Sequence, residues 1–328
     1  MNHAAKYHER AKERISEAGY RKSNENIDAH HVTNALRVLT ETGEVIRAAA
    51  EATRGGHKIE TIQPADQRRR GTAIARAAAR KRLLYARYLG WATGTKRHPH
   101  GHIGPAGEAA ARTGILASGT LQPVHPDAGQ VSTLLGVSLP GPLDSAGYHV
   151  PLVHGVPQQP VTVMIEVKNI RAWIYPSAEE IYQLLTKAAI VQQTHPDQQI
   201  LPVFICRRAH PTAFWMAQQL GFMIIDMELQ FVGHPIDEHE QAHFDEVRVE
   251  LHFNDLRLGK GPSVRVTDRF AKVIPTHASA MASTWMRTVA NDEIRTLIAP
   301  LRTAKHAERT ALMDELRHAV TRAGHRGF

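Results

Sequence analysis

Two runs of almost uninterrupted apolar residues constrain the fold of this chain more than any other feature. They occupy residues 161–165 (VTVMI) and 201–206 (LPVFIC). Strands that are apolar on both faces require a sheet that is covered on both sides. Helical patterns follow each run, at residues 177–193 and 212–220. This alternation predicts an α/β fold in which helices flank a sheet.

The remaining pattern is weaker. A helix is predicted over residues 104–116 and extended chain over residues 131–139, 148–153 and 221–226. Residues 237–256 are acidic and contain the alternating motif VRVELHF, whereas residues 285–323 have the spacing of one or two amphipathic helices. We expect residues 285–323 to form a helical cap or a dimer contact.

Positive charge is concentrated in the first third of the chain. The net charge is +8; residues 1–100 carry 20 Lys and Arg against 10 Asp and Glu, and residues 101–328 carry 20 against 22. Residues 64–100 hold ten basic side chains and a single acid, Asp66. Such a stretch attracts a polyanion, and the planar fork of Arg suits phosphate oxygens. We therefore expect nucleic acid to bind here.

A short helix precedes this stretch. It runs from about Val32 to Leu39, stops near Gly43, and exposes Arg37 on its early turns, as a recognition helix in a major groove would. The order helix, glycine, and two extended pieces around a Gly-Gly turn resembles a winged helix over residues 3–63. A plain helical module is the alternative, because the alanines of residues 48–52 favour helix.

The strongest chemical signal ends the first apolar run. Five apolar or β-branched residues lead into Glu166-Val167-Lys168, and side chains two apart on a strand project to the same side. Asp144, in the motif GPLDSAG, precedes Glu166 by 22 residues, enough for a strand, a loop and the return. Two carboxylates and a lysine would then converge. Carboxylates are hard ligands suited to Mg²⁺ or Mn²⁺.

These residues resemble the PD-(D/E)xK nuclease superfamily, which has a restriction-endonuclease-like mixed sheet. The resemblance covers residues 104–226 and implies that Asp144 and Glu166 bind Mg²⁺ or Mn²⁺ and that Lys168 is the catalytic lysine. It matches Glu108, in GPAGEAA, to a helical acid. It also matches Gln183 and Lys187, in the helix after the motif, to side chains near the scissile phosphate.

Four segments follow from these interpretations. We predict a basic DNA-binding domain at residues 1–95, a linker at 96–103, a nuclease domain at 104–235 and a helical extension at 236–328. The linker is rich in Gly, Pro and His, and its alternating His98, His100 and His102 lack the rigid spacing of a structural metal site.

The expected function is a Mg²⁺-dependent DNA endonuclease. The alternatives are a DNA-binding regulator with an inactive nuclease-like domain, and an enzyme that acts on RNA. The predicted nucleic-acid contacts are Arg37, Arg54, Lys58, Arg68, Arg69, Arg70, Arg76, Arg80, Lys81, Arg82, Arg207 and Arg208. Arg207, Arg208 and His210 would share a sheet edge with Lys168, where they either hold phosphate or cap the next helix.

The expected compartment follows from features that the sequence lacks. There is no apolar run of about 18 residues and no secretion signal near the N-terminus, so we expect a cytoplasmic protein without membrane contact. The single cysteine, Cys206, rules out a disulfide within one chain and is expected in the core. A homodimer remains an open expectation.

Overall fold

The computed structural model describes residues 29–52, 58–66, 72–95, 99–124, 130–233, 238–259, 261–324 and 328. Within these residues the chain is a mixed α/β protein, which confirms the predicted class. It forms two compact units. The first combines the described residues of Met1–Ala106 with Ile170–Ala172 and Gln230–Leu258, and the second combines those of Gly107–Asn169, Trp173–Leu229 and Gly259–Phe328.

The elements are numbered here in chain order. The described helices are α1 (Ala29–Glu41), α2 (Thr72–Thr93), α3 (Gly104–Ser118), α4 (Glu179–Thr194), α5 (Pro211–Leu220), α6 (Glu238–Glu250), α7 (Val264–Lys272), α8 (Ile274–Ala290), α9 (Asp292–Leu301) and α10 (His306–Arg322). The described strands are β1 (Val45–Ala52), β2 (Lys58–Pro64), β3 (Gln122–Pro123), β4 (Val131–Leu134), β5 (Val137–Leu143), β6 (Ser145–His149), β7 (Leu152–Val153), β8 (Val156–Pro157), β9 (Val161–Lys168), β10 (Gln199–Cys206), β11 (Met223–Asp226), β12 (Gln230–Val232) and β13 (Leu256–Leu258).

A five-stranded sheet forms the centre of the second unit. Its order is β11-β10-β9-β6-β3; β9, β10 and β11 are parallel, and β6 and β3 continue antiparallel. Every residue of β9 from Val161 to Val167 is buried, and only Lys168 at its end is partly exposed. The helices α4 and α8 both contact β9 and β10. The two apolar runs therefore form covered central strands, as predicted.

Some boundaries differ from the prediction. Residues 131–139 turn back at Leu135 and Gly136, whose φ angles are 50° and 78°, and so form the hairpin of β4 and β5. The C-terminal region contains three described helices, α8 to α10, in place of one or two. Asn291 separates α8 from α9, because its side chain accepts hydrogen bonds from the N–H groups of Glu293 and Ile294.

Among the described residues, no helix combines the length and the apolar composition that a bilayer crossing requires.

The first unit has a core between α2 and α6. Leu84, Tyr88 and Trp91 on α2 are buried in one cluster with Phe244 and Val247 on α6. The first four residues of the alternating motif at residues 247–253 are thus helical, since apolar positions three apart on α6 face one core. This unit includes residues 230–258, so the units do not follow the predicted boundaries at residues 235 and 236.

A buried guanidinium holds several segments of the first unit together. Arg171 is 1% exposed, and its Nη2 lies 2.5 Å from Oδ1 of Asp255. Its Nη1 donates to the amide oxygen of Gln230 over 3.0 Å, and its guanidinium carbon lies 3.9 Å from the ring centroid of Phe253. The amide nitrogen of Gln230 in turn donates to the hydroxyl of Tyr88 over 3.0 Å. Every one of these groups lies in the first unit.

The predicted linker at residues 96–103 ends in chain that packs within the first unit. Residues 96–98 lie outside the described residues, but Ile103 is buried in the core of the first unit. The N–H groups of His102 and Ile103 both donate to the carbonyl of Trp91. Gly101 has a φ of 66°, and a Cβ there would lie 2.7 Å from the same carbonyl. Residues 101–103 are therefore packed against α2.

The winged-helix resemblance falls only partly on described residues. The helix α1 and the antiparallel pair β1 and β2 are present, in the predicted order. The strand β1 contains Ala48 to Ala52, so pairing with β2 overrides the helical propensity of the alanines. The start of the resemblance, residues 3–28, and the Gly-Gly turn lie outside the described residues.

Candidate active site

Asp144 and Glu166 lie opposite each other on neighbouring strands. The ladder of β6 and β9 pairs Ser145 with Ile165, so its next step places Asp144 beside Glu166. The N–H of Asp144 donates to the carbonyl of Ile165 over 3.2 Å, and Oδ2 of Asp144 accepts from the N–H of Val167 over 2.6 Å. Directly opposed residues project to the same face of a sheet. The structure thus brings both carboxylates together.

The carboxyl group of Asp144 carries an electrostatic penalty. Burial, followed by the negative charge of Glu166, raises the pKa of Asp144 to about 6. The hydrogen bond from Val167 lowers it, Glu108 raises it, and Lys168 lowers it. A carboxyl group with nearby negative charge is stabilised by any cation that joins the cluster.

Two lysines neutralise Glu166. Nζ of Lys168 lies 2.7 Å from Oε1 of Glu166, and Nζ of Lys187 lies 2.7 Å from Oε2. Burial lowers the pKa of Lys168, but the charge and the hydrogen bond of Glu166 outweigh it, and the net shift is upward. Lys187 is buried and also donates to the carbonyl of Pro142 over 2.6 Å. It therefore ties Glu166 to the chain two residues before Asp144.

Glu108 approaches the same cluster from α3. Its charge contributes to the raised pKa of Asp144, although Glu108 itself is partly exposed. The preceding Gly107 permits this approach, because a Cβ there would lie 2.2 Å from Cβ of Asn169, directly after β9. The sequence does not indicate this close packing, because a single glycine in GPAGEAA does not show which residue it packs against.

Gln183 lies on α4, one turn before Lys187. Residues four apart share one face of a helix, so Gln183 is on the side from which Lys187 reaches Glu166. It is half-buried. The N-terminal turn of α4 also carries Glu180, whose charge raises the pKa of Lys168. The five predicted catalytic residues thus belong to one unit, and four of them interact around Asp144.

No family model, curated protein or solved structure matches the chain. The geometry of the site therefore carries the functional argument.

The donor set suits a hard divalent cation. Among the described residues, no three His, Cys, Asp or Glu side chains are arranged to hold a metal ion. Mg²⁺, however, is commonly bound through only one or two carboxylates, with water and substrate phosphate as its other ligands. Asp144 and Glu166 supply that number, and the raised pKa of Asp144 marks a buried carboxyl group that a cation would stabilise. The residues present fit Mg²⁺ or Mn²⁺.

The predicted nucleic-acid contacts on the first unit differ in their surroundings. Arg37 is exposed and donates to Glu41 over 3.1 Å, and Arg76 is exposed on α2. Lys81 and Arg82 are half-buried and have interaction partners. Arg80 is ion-paired with Glu250, at 2.6 Å from Nη2 to Oε1. The remaining predicted contacts of this unit, whose side chains lie outside the described residues, are Arg54, Lys58, Arg68, Arg69 and Arg70.

The residues after β10 share a sheet edge with Lys168, as predicted, because Cys206 pairs with Lys168 in a parallel ladder. Arg207 is completely buried, which contradicts its prediction as a nucleic-acid contact. Its side chain takes the inward position, whereas Arg208 remains partly exposed. His210 caps α5, since its Nδ1 accepts from the N–H of Thr212. Cys206 is buried, as expected.

Proposed function

We propose that the chain is a metal-dependent endonuclease that hydrolyses phosphodiester bonds in DNA. The observation that supports this function is the convergence of Asp144, Glu166 and Lys168 at the end of a buried strand. Burial and charge together raise the pKa of Asp144 to about 6. Strongly perturbed carboxyl groups concentrate at functional sites. The sheet would then be restriction-endonuclease-like, as the resemblance implies.

Each residue has a role that its surroundings support. Asp144 and Glu166 would hold Mg²⁺ or Mn²⁺, which supplies Lewis-acid polarisation of the phosphodiester and a more acidic water. Lys168 bonds to Glu166 and its side chain is 25% exposed, so part of it is accessible to a substrate. Its ammonium would orient the attacking water or stabilise the charge that develops on the phosphoryl oxygens.

Two further side chains would position this group. Lys187 fixes the far oxygen of Glu166 and the carbonyl of Pro142, so it holds the carboxylate in one orientation. Gln183, on the same face of α4, would contact the scissile phosphate. Glu108 adds negative charge near Asp144 and would thereby favour a cation at this site.

The basic first third of the chain would supply affinity for DNA. Its excess of Lys and Arg attracts phosphate without regard to base sequence. We place the enzyme in the cytoplasm, and a homodimer is one assembly that would present two such sites to a duplex.

A regulator with an inactive nuclease-like domain is the second candidate. The observation in its favour is that both oxygens of Glu166 already bond to lysines. Structural ion networks also perturb pKa values, so such a cluster can serve stability alone. The two functions differ in one measurable property, which is metal-dependent cleavage.

Replacing the candidate catalytic lysine tests the enzyme. Lys168→Ala should lower the cleavage rate by about 10²- to 10³-fold, the usual effect of removing one group that stabilises transition-state charge. Affinity for DNA should change little, because other residues supply it. Cleavage of duplex, branched and single-stranded DNA, and of RNA, would be measured with Mg²⁺ or Mn²⁺.

A matched control is Lys272→Ala. Lys272 is an exposed lysine of the second unit that pairs with Asp268 at 2.8 Å, so its loss removes the same charge at a residue outside the candidate active site. It should cut as well as wild type. If wild type cuts none of these substrates, or if Lys168→Ala cuts as fast as Lys272→Ala, the proposed mechanism is wrong.

A further inference from the structure

A cation and three rings contact one another in series beyond the ends of β9 and β10, with the planes of Trp173 and His210 tilted by 43°. The guanidinium carbon of Arg208 lies 5.5 Å from the ring centroid of Trp173. Trp173 and His210 have centroids 6.4 Å apart, and His210 stacks on Tyr175 at 4.9 Å with an interplanar angle of 23°. We call Arg208, Trp173, His210 and Tyr175 the aromatic stack. All four belong to the second unit.

The backbone holds the aromatic stack in place. The N–H of Ile174 donates to the carbonyl of Arg208 over 3.0 Å, and the N–H of His210 donates to the carbonyl of Ile174 over 2.9 Å. These bonds join the segment after β9 to the segment after β10. The stack is thus attached to the same sheet edge as the candidate active site, because Cys206, two residues before Arg208, is the strand neighbour of Lys168.

The exposure of its members suits a ligand. Trp173 is 9% exposed and forms the inner part of the stack, whereas Arg208, His210 and Tyr175 are each partly exposed. Arg207, next in the chain to Arg208, points inward and is fully buried. If the rings only covered the sheet edge, an aliphatic cluster would serve equally well. His210 and Tyr175 stack on each other, so the surface left for a ligand is the partly exposed outer side of these two rings together with the guanidinium of Arg208.

We propose that the aromatic stack binds an unpaired nucleobase beside the cleavage site. Nucleobases stack on aromatic side chains and on Arg planes, and this mode requires a base that is not enclosed in a duplex. The inference rests on the proposed function, and it narrows the substrate class to DNA with single-stranded or branched structure. Paired bases in a continuous duplex do not expose the face that the stack needs.

The test is equilibrium binding of labelled DNA in EDTA, which separates binding from cleavage. Tyr175→Leu and His210→Asn each remove a ring, and Asn at position 210 keeps a side-chain acceptor for the N–H of Thr212. Each variant should bind a single-stranded or flapped oligonucleotide on the order of tenfold more weakly than wild type. Affinity for a blunt duplex should stay within about twofold.

Trp215→Leu is the matched control. Trp215 is an exposed aromatic residue on α5, with 56% of its surface accessible, and it is not part of the aromatic stack. It should bind every substrate as wild type does. Equal affinity of wild type for flapped and blunt DNA, or an equal loss on both substrates in the two stack variants, would overturn the proposal. Selective binding by a wild type that cuts nothing would support the stack and refute the endonuclease.

Discussion

Two buried ionic clusters, one in each unit, both join carboxyl groups to basic side chains and differ in how completely their charges are compensated. Around Arg171 in the first unit, one guanidinium meets the carboxylate of Asp255 and the amide of Gln230. Around Glu166 in the second unit, one carboxylate meets two lysines while a second carboxyl group, Asp144, lies beside it with a raised pKa. The first cluster pairs one cation with one acid, whereas the second, with the nearby Glu108 included, has three acids against two lysines.

This difference separates a structural role from a functional one. A balanced buried pair mainly fixes which segments meet, and its loss costs stability because it leaves a charge unpaired. An acidic excess lowers the stability of the folded state, and it is useful where a cation or a substrate supplies the missing charge. The side chains agree with this division, because Arg171 is 1% exposed whereas the side chain of Lys168 is 25% exposed.

The largest expected effect is on the balanced cluster. Arg171→Leu should lower the free energy of unfolding by about 3–5 kcal/mol, because Asp255 and Gln230 stay buried without the guanidinium. Lys168→Leu should lower the free energy of unfolding by a smaller amount, because Glu166 keeps its bond to Lys187. Urea denaturation of both variants measures the difference. If the two variants lose a comparable free energy of unfolding, the two clusters contribute equally to stability.

The second prediction concerns Asp144 and pH. Its pKa rises from 3.8 in the unfolded chain to about 6 in the folded one, so its contribution to stability is fully present below pH 3.8 and is lost as the pH rises through 6. Ionised Asp144 then costs roughly 3 kcal/mol at neutral pH. Asp144→Asn keeps an acceptor for Val167 and should be the more stable protein at pH 7 but not at pH 4.

Denaturation at pH 4, 5, 6 and 7, with and without Mg²⁺, measures this contribution. Ions that bind only the folded state stabilise it, so saturating Mg²⁺ should stabilise wild type and reduce its disadvantage against Asp144→Asn. Glu315→Gln, which removes an acid from the surface of α10, serves as the control and should show neither effect. A constant difference between Asp144→Asn and wild type across this pH range would show that Asp144 is compensated after all.

The sequence predicted the local parts of the site and missed those that depend on distant packing. Alternation along β9 placed Glu166 and Lys168 on one side, and the apolar run located the strand end. Neither pattern indicates that Lys187 reaches both Glu166 and the carbonyl of Pro142, or that Gly107 lies against Asn169. Such contacts arise from how elements pack, and one-dimensional patterns carry no information about that packing.

Charge shows the same limit. The basic stretch at residues 64–100 has a single acid, which suggested that its arginines lack partners. In the folded first unit, Arg80 on α2 pairs with Glu250 and lies 3.6 Å from Glu246, both on α6. The compensating acids are thus about 170 residues away in sequence. The entropic cost of closing a loop grows only slowly with its length, so this separation does not prevent the pairing. The net charge of residues 64–100 therefore overstates the positive charge of α2 that is left uncompensated.

The smallest expected effect concerns the exposed pair of Arg80 and Glu250. If α2 binds DNA as proposed, a phosphate must displace Glu250 from Arg80, whose Nε and Nη2 lie 2.7 and 2.6 Å from that carboxylate. Glu250→Gln should release the guanidinium and steepen the salt dependence of duplex binding by up to about 0.9, the slope of one phosphate contact. Asp268→Asn, which releases Lys272 in the second unit, is the control and should leave the slope unchanged. Titrations of a blunt duplex from about 50 to 200 mM salt give both slopes. If the two variants steepen it equally, net charge alone controls the affinity, and α2 has no special part in binding DNA.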